Sequence, residues 1–445
     1  MGAGYPSWDG LLHEIADEMG LGQANVLDLA ALAQWHITAR GKHRVKSVVR
    51  EKIAVNKPIP AALNSIAHLP FQEIWTTNYD RLIERAFEEV RRPITPISSP
   101  KDLSLKVPSG SARLYKMHGS IENLDDIVLS TEDYELFKRD RGPYYPLLQA
   151  SLTSKSVLFV GLSFSDPNLK HVFGSIKESF HDTPPEHYAI LRRPSAREGE
   201  KADQFKARQA QHNFWVKDLQ RYGLLSIEVD DYAEIDELLL HLRRSVARRK
   251  VWISGSFPLG GGEDSAEVAE FSIVLGKLIA SEGKALVTGS GLTVGSASLS
   301  GFLDGLSPEE SWDLNRRLVS RVFPQPVAGV SYQAHWKSIR QELAMESGIV
   351  LFIAGVKIVE GRSVMADGVL EEFDAALSQG SFLIPIGKFG GAASKIAERL
   401  RNSKVPFKGA NAQRPTDDEL VALSAEDLSI DTMREVVSGI LRRLA

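Results

Sequence analysis

Apolar positions in the first seventy residues recur with helical spacing. In WDGLLHEIADEMG, Leu11, Leu12, Ile15 and Met19 fall on one face, and Gly20 is a natural stop. The pattern then shortens. PFQEIWTTNYDRLIERAFEEV reads as a short buried strand, a turn, and a helix carrying Leu82, Ile83 and Phe87. ARLYKMHGSI is a second strand running into a Gly-Ser turn. KSVLFVGLSFSDPNLKHVF is a third, apolar throughout, then a loop and a helix. Apolar strands alternating with helices predict a parallel sheet covered on both faces.

Near residues 240–250 the rhythm changes. LLLHLRRSVARRK is a helix ending in a basic cluster, which suits a solvated helix terminus favoured by the macrodipole. A second alternation follows: strands VWISGSF, KALVTGSG, GIVLFIAG and SFLIPIG, separated by helices such as AEVAEFSIVLGKLIASEG, WKSIRQELAMES and DGVLEEFDAALSQG. The pattern predicts an α/β chain of two Rossmann-like parallel-sheet domains, residues 1–246 and 247–445.

Composition agrees with two cores. The chain has 445 residues, 43% hydrophobic and 25% charged. A net charge of −4 argues against a broad basic surface for nucleic acid. No apolar run reaches the length of a membrane span and no N-terminal signal pattern is present, so the expected compartment is the cytoplasm. There is no cysteine, which excludes disulfides and every cysteine-built zinc site.

In open parallel sheets, ligands bind where strands give way to loops. Three exits of the first half collect polar residues: Thr76, Thr77, Asn78 and Asp80 in TTNYD; His118 in KMHGS; Gly161, Ser163, Asp166 and Asn168 in GLSFSDPN. Singly, Asn78, Asp80, Ser163 and Asp166 read as helix caps, and His118 as a hydrogen-bonded strand-end histidine. Together, at the exits of one sheet, they form a constellation. Histidine takes or gives a proton near neutral pH, and asparagine holds hydroxyls or water without titrating.

At these blocks the chain resembles bacterial sirtuin-like domains, with a helical insertion in the first unit. GYPSWDGLL is similar to the segment that follows their first glycine loop. The resemblance implies an NAD-binding core that cleaves the nicotinamide–ribose bond, without metal. It implies that Asn78 places the ribose and the attacking water, and that His118 is the base or a ribose-hydroxyl partner. Thr76, Thr77, Asp80, Gly161, Ser163, Asp166 and Asn168 would line the dinucleotide site. By the same resemblance Gly2-Ala3-Gly4 is the end of a spacer, and the phosphate-binding loop with its strand is expected to be missing or to lie upstream.

In the second half, small residues again mark strand exits: Ser254, Gly255 and Ser256, then Gly289, Ser290 and Gly291. They let a ligand approach backbone N–H groups closely. Arg340 and Lys357 flank the strand GIVLFIAG, and Asp367 is expected to cap the helix that carries Glu372 and Phe373. Two cations, two small-residue loops and a helix start suit a ligand with two phosphates; ordinary turns with solvated cations are the alternative.

This half resembles the SLOG superfamily, relatives of cytokinin-activating phosphoribohydrolases. Where those enzymes carry P-G-G-x-G-T-x-x-E, this chain has MADGVLEEF: the double glycine and the Thr are absent, and Glu372 occupies the Glu position. The departure favours a sensor over a second hydrolase. A sirtuin-like domain followed by SLOG is similar to the effectors of the Thoeris anti-phage system. That resemblance implies an NAD+ glycohydrolase that is silent until the SLOG domain binds a cyclic ADP-ribose isomer made by a TIR-domain partner. It also implies a homo-oligomer, a tetramer or larger, and a role in abortive infection. Ser254, Gly255, Ser256, Gly289, Ser290, Gly291, Arg340, Lys357, Asp367, Glu372 and Phe373 would bind the signal. The competing readings are a protein deacylase, which the lack of cysteine disfavours, a phosphoribohydrolase acting from the second domain, and a non-catalytic nucleotide-binding regulator.

Overall fold

The structure is a computed structural model that describes residues 3–21, 28–162, 164, 166–179, 185–258, 263–308, 314–324, 331–408 and 411–444. The chain forms two compact units, Met1–Leu240 and His241–Ala445. The division falls within the helix Ala233–Ala247.

The first unit opens with helices Trp8–Glu18, Leu29–Arg40 and Lys42–Ile53. Their apolar faces meet: Leu11, Leu12 and Ile15 pack with Leu32, Ala33, Val45, Val48 and Val49. Ser7 starts the first helix by accepting the Gly10 N–H at 3.1 Å. Of the opening glycines, Gly2 lies outside the described residues. Gly4 has φ +77° and lies three residues before the Ser7 cap of that helix.

Six short strands follow: β1 (Glu73–Thr76), β2 (Ile94–Ile97), β3 (Ala112–Lys116), β4 (Leu158–Val160), β5 (His187–Arg192) and β6 (Leu224–Val229). All pair in parallel, in two ladders ordered β1-β3-β2 and β4-β5-β6. This corrects the expectation that the three polar exits share one sheet. Those at Thr76 and His118 belong to the first ladder and that at Gly161 to the second. Covering helices unite the ladders instead. Helices Tyr144–Ser154 and Pro167–Ser179 place Leu148, Leu152, Val172 and Phe173 in one core with Tyr115 of β3 and Phe159 of β4. Glu73 of β1 accepts the Ser151 hydroxyl at 2.8 Å and pairs with Lys155 at 2.6 Å, just before β4.

The second unit is a five-stranded parallel sheet in the order β13-β10-β7-β8-β9. Its strands are β7 (Lys250–Ser256), β8 (Ala285–Thr288), β9 (Leu318–Ser320), β10 (Ile349–Ala354) and β13 (Phe382–Ile386). Every residue of β10 is buried, as a central strand covered on both faces requires. Helices Glu263–Ser281, Val294–Asp304 and Ile430–Arg443 cover one face. Helices Gln333–Glu346, Asp367–Gln379 and Gly391–Arg401 cover the other. From β7 the chain builds outward through β8 and β9, then returns to lay β10 on the opposite side of β7. The carboxyl ends of β7 and β10 therefore flank a topological switch point, where such sheets bind ligands.

A hairpin that the apolar pattern does not mark, β11 (Val356–Val359) and β12 (Arg362–Met365), rises from the end of β10. Its turn is Glu360-Gly361, both with positive φ (50° and 75°), the geometry of a tight two-residue hairpin.

Candidate functional site

In the first unit, Thr76 pairs with Lys116, and the chain leaves both strands together. Asn78 and His118 each lie two residues beyond that pair. Lys116 fastens the two exits. Its side chain is buried and its Nζ donates to Tyr79 O at 3.2 Å, to Asp80 O at 2.5 Å and to Glu84 Oε1 at 2.9 Å. Tyr79 is buried and its hydroxyl donates to Val128 O at 2.6 Å. Asp80 Oδ1 accepts the Leu82 N–H and starts the helix Leu82–Glu89. The Asn78 N–H donates to Thr76 Oγ1 at 3.1 Å, and the Asn78 side chain is left exposed.

His118 is 4% exposed. Its Nε2 is 3.3 Å from Asn168 Nδ2 and 3.4 Å from Asp166 Oδ2. Asn168 is itself fixed: its Oδ1 accepts the Tyr145 hydroxyl at 2.7 Å. Asp166 Oδ1 accepts the Asn168 and Leu169 N–H groups, holding the start of the helix Pro167–Ser179. Tyr134 and Phe137 meet the imidazole edge-on at 5.5 and 6.4 Å. Burial pushes the His118 imidazole well below its ordinary value; the Asp166 carboxylate opposes this shift and Arg141 adds to it. The ring is therefore neutral at pH 7. Gly119 follows with φ +89°, and a side chain there would collide with Asp126 O. The structure thus brings His118, Asp166 and Asn168 into direct contact and sets Thr76, Asn78 and Asp80 at the neighbouring exit. Gly161 begins the connecting loop with φ +63°. Ser163 lies outside the described residues.

Sequence reasoning missed a groove of about 610 Å³ at the carboxyl ends of β4, β5 and β6. Gly161, Arg192, Arg208, His212, Trp215 and Tyr232 are among its walls. Arg192 stacks over Tyr232 at 4.6 Å, while Arg208 and His212 are held by Glu200 and Glu228. Without β5 and β6 in the reading, no signal joined these residues.

In the second unit, the residues singled out at strand exits take the following positions around the switch point. Ser254 at the end of β7 donates to Glu372 Oε2 at 2.5 Å, and both are buried. Arg340 Nη1 pairs with Glu371 at 2.5 Å, while its Nε is 4.0 Å from Glu372. Burial pushes Glu372 up to about 7, against the Ser254 hydrogen bond and Arg340, which lower it, and with Glu371, which raises it. Gly255 packs so tightly against β10 that a side chain would strike Ile353 O. Ser256 Oγ donates to Val356 O at 3.1 Å. At the exit of β8, Gly289 faces the Phe323 ring, a side chain on Gly291 would come no closer than 4.0 Å to Gly255 O, and Ser290 takes φ +53° with its hydroxyl 2.7 Å from Ser320 Oγ.

One expectation is corrected. Asp367 does not cap its helix: Ala366 is the cap residue, and the Asp367 carboxylate accepts from Lys357 Nζ at 2.9 Å. Lys357 sits on β11, whose hairpin carries it to that helix start. Phe373 is packed in the core, 5.9 Å from the Phe352 ring. Among the described residues no group of three or more His, Asp or Glu side chains is placed to hold a metal ion.

These two sites match two known domains in the same order. A SIR2-like domain model matches residues 72–214, and the Sir2- and TIR-associating SLOG family model matches residues 234–444. The chain is thus a SIR2-like domain followed by a SLOG domain. The NAD(+) hydrolase ThsA of Bacillus cereus (strain MSX-D12) is 31% identical over 443 residues, covering 98% of this chain and 92% of that protein. The NAD(+) hydrolase ThsA of Cytobacillus dafuensis is 31% identical over 87% of this chain and 80% of its own length. That of Acinetobacter baumannii (strain 532279) is 30% identical over 89% and 84%. This chain belongs to the ThsA family of NAD(+) hydrolases.

Two outcomes are expected from this geometry. Lys116→Met leaves Glu84 buried without its partner, and urea unfolding should show a loss of about 3–5 kcal/mol. Adding Glu84→Leu should restore much of that stability without restoring full activity, because the Tyr79 and Asp80 carbonyls stay unanchored. Glu372 carries a folded value raised above its ordinary 4.5. Its contribution to stability is present below pH 4.5 and is lost as pH rises towards 7. Glu372→Gln should flatten that fall when thermal unfolding is followed from pH 4.5 to 8.

Proposed function

We propose that the chain hydrolyses NAD+ at the bond between nicotinamide and ribose. The observation that carries this reading is the neutral, buried His118, fixed by Asn168 and Asp166 beside the exit that presents Asn78. Nicotinamide leaves readily from C1′, and the transition state is oxocarbenium-like. The protein's task is to hold the ribose, limit water to one molecule and accept a proton. Asn78 holds the ribose and the water. The C1′–N bond breaks with its electron pair going to nicotinamide, and the water oxygen bonds to C1′. The proton released passes through the ribose hydroxyl or the water to the lone pair of His118. The products are nicotinamide, ADP-ribose and a proton. Thr76, Thr77, Asp80 and Gly161 contact the dinucleotide, and the groove at Arg192 and Trp215 takes its adenosine end.

The crevice of the second unit binds a cyclic ADP-ribose isomer, supplied by a TIR-domain partner, that switches the hydrolase on. Arg340 and Lys357 face its phosphates, and Glu372 with Ser254 its ribose hydroxyls. Such a ligand activates only through tighter binding to the active arrangement. Moving a population from 1:99 to 99:1 takes about 5.5 kcal/mol of differential affinity, which several subunits of a homo-oligomer can share. Depletion of cytoplasmic NAD+ in infected cells is the defensive output.

The test is nicotinamide release from NAD+ by the purified chain, with and without a panel of cyclic ADP-ribose isomers. One isomer should switch turnover on, and His118→Ala should lower it by about 10²-fold or more. The rate should show no inflection near pH 6.5, because His118 is already neutral there. Undiminished turnover in His118→Ala would remove the catalytic assignment. Binding of an isomer without turnover would favour a non-catalytic regulator.

A further inference from the structure

Resting on the reading of this crevice as an anion site, we propose that Glu371 is its resident counter-anion, a carboxylate that occupies Arg340 until a ligand phosphate displaces it. Glu371 then sets both the affinity of the site and its demand for a phosphate at that position.

The two partners are unequally buried. The Arg340 side chain is 13% exposed and Glu371 is 60% exposed. The guanidinium comes from helix Gln333–Glu346 and is confined. The Phe323 ring lies 5.6 Å from it, and a side chain on Gly368 would come within 2.9 Å of Nη2. Arg340 therefore stays in place, while Glu371 can swing into water at little cost. Arg340 also keeps unused capacity. Its Nε is buried without a hydrogen-bond partner. The nearest other carboxylate, Glu372, is 4.0 Å away and already holds the Ser254 hydroxyl. A planar guanidinium with one arm on a solvated carboxylate and another N–H free matches a phosphate, which can take two of its donors at once. A neutral ligand cannot replace the lost carboxylate, so the contact selects for charge.

Lys357 and Asp367 form a second pair, but both are substantially exposed, 44% and 76%. Exposed pairs are worth little, so this one contributes little selectivity. The burial of Arg340 makes Glu371 the dominant gate.

The experiment is calorimetric titration of the full chain with the panel of cyclic ADP-ribose isomers, and with inorganic pyrophosphate in parallel. Glu371→Gln should tighten binding of the preferred isomer about tenfold, and Asp367→Asn less than about threefold. Arg340→Ala should abolish it. A gain of affinity cannot come from misfolding, so the first result is diagnostic. Unchanged or weaker binding in Glu371→Gln, with Arg340→Ala inactive, overturns the counter-anion role and leaves the ligand reading standing. Binding unaffected by Arg340→Ala, or absent from wild type and Glu371→Gln alike, overturns both.

Discussion

The first unit depends on a buried amine. Lys116 ends β3 with its Nζ on two backbone carbonyls of the loop after β1 and on the buried Glu84 carboxylate. Two short strands, five and four residues long, would not by themselves hold their exits in register. A lysine buried among carbonyls has no water to fall back on, so the loop must close around it. That closure fixes Tyr79, and with it the turn presenting Asn78. Two residues beyond Lys116 the same strand delivers His118 onto Asn168. The ion pair is poor evidence of net stability, since its desolvation offsets its attraction. It is good evidence of specificity, because few other backbone paths satisfy every partner.

The second unit solves a related problem with the opposite electrostatics. The first unit buries a neutral base. The second holds cations, each faced by a carboxylate from the Asp367–Gln379 helix, together with a buried Glu372 bonded to Ser254. Both sites lie at carboxyl ends of parallel strands, where loops can vary without disturbing the sheet. One arrangement suits proton acceptance; the other suits exchange of one anion for another.

Much of this was legible in the chain. The strands β1, β3, β4, β7, β8, β10 and β13 stand out, and the polar residues at or after their exits include His118, Asn168 and Ser254. What was hidden has physical causes. β2 is four residues long and contains Pro96, which weakens any strand signal. β6 exposes Leu225 and Ile227, so its apolar residues do not alternate with the polar ones as those of a half-buried strand would. Missing β5 and β6 also hid the groove they form. The hairpin carrying Lys357 rests on Glu360-Gly361, a turn that needs a left-handed non-glycine residue. Lys116 and Glu84 are 32 residues apart, and Ser254 and Glu372 are 118 apart. No local pattern encodes such pairs.

The proposed hydrolysis requires NAD+ to lie with its nicotinamide ribose between Asn78 and His118 and its adenosine in the groove beyond Gly161. A crystal structure of the His118→Ala chain soaked with NAD+ tests it most directly. The ribose hydroxyls should lie within hydrogen-bond reach of Asn78 and face the space vacated at residue 118, with the adenine against Trp215. NAD+ bound only in the second unit, or lying in the first with its nicotinamide ribose away from Asn78, would contradict it.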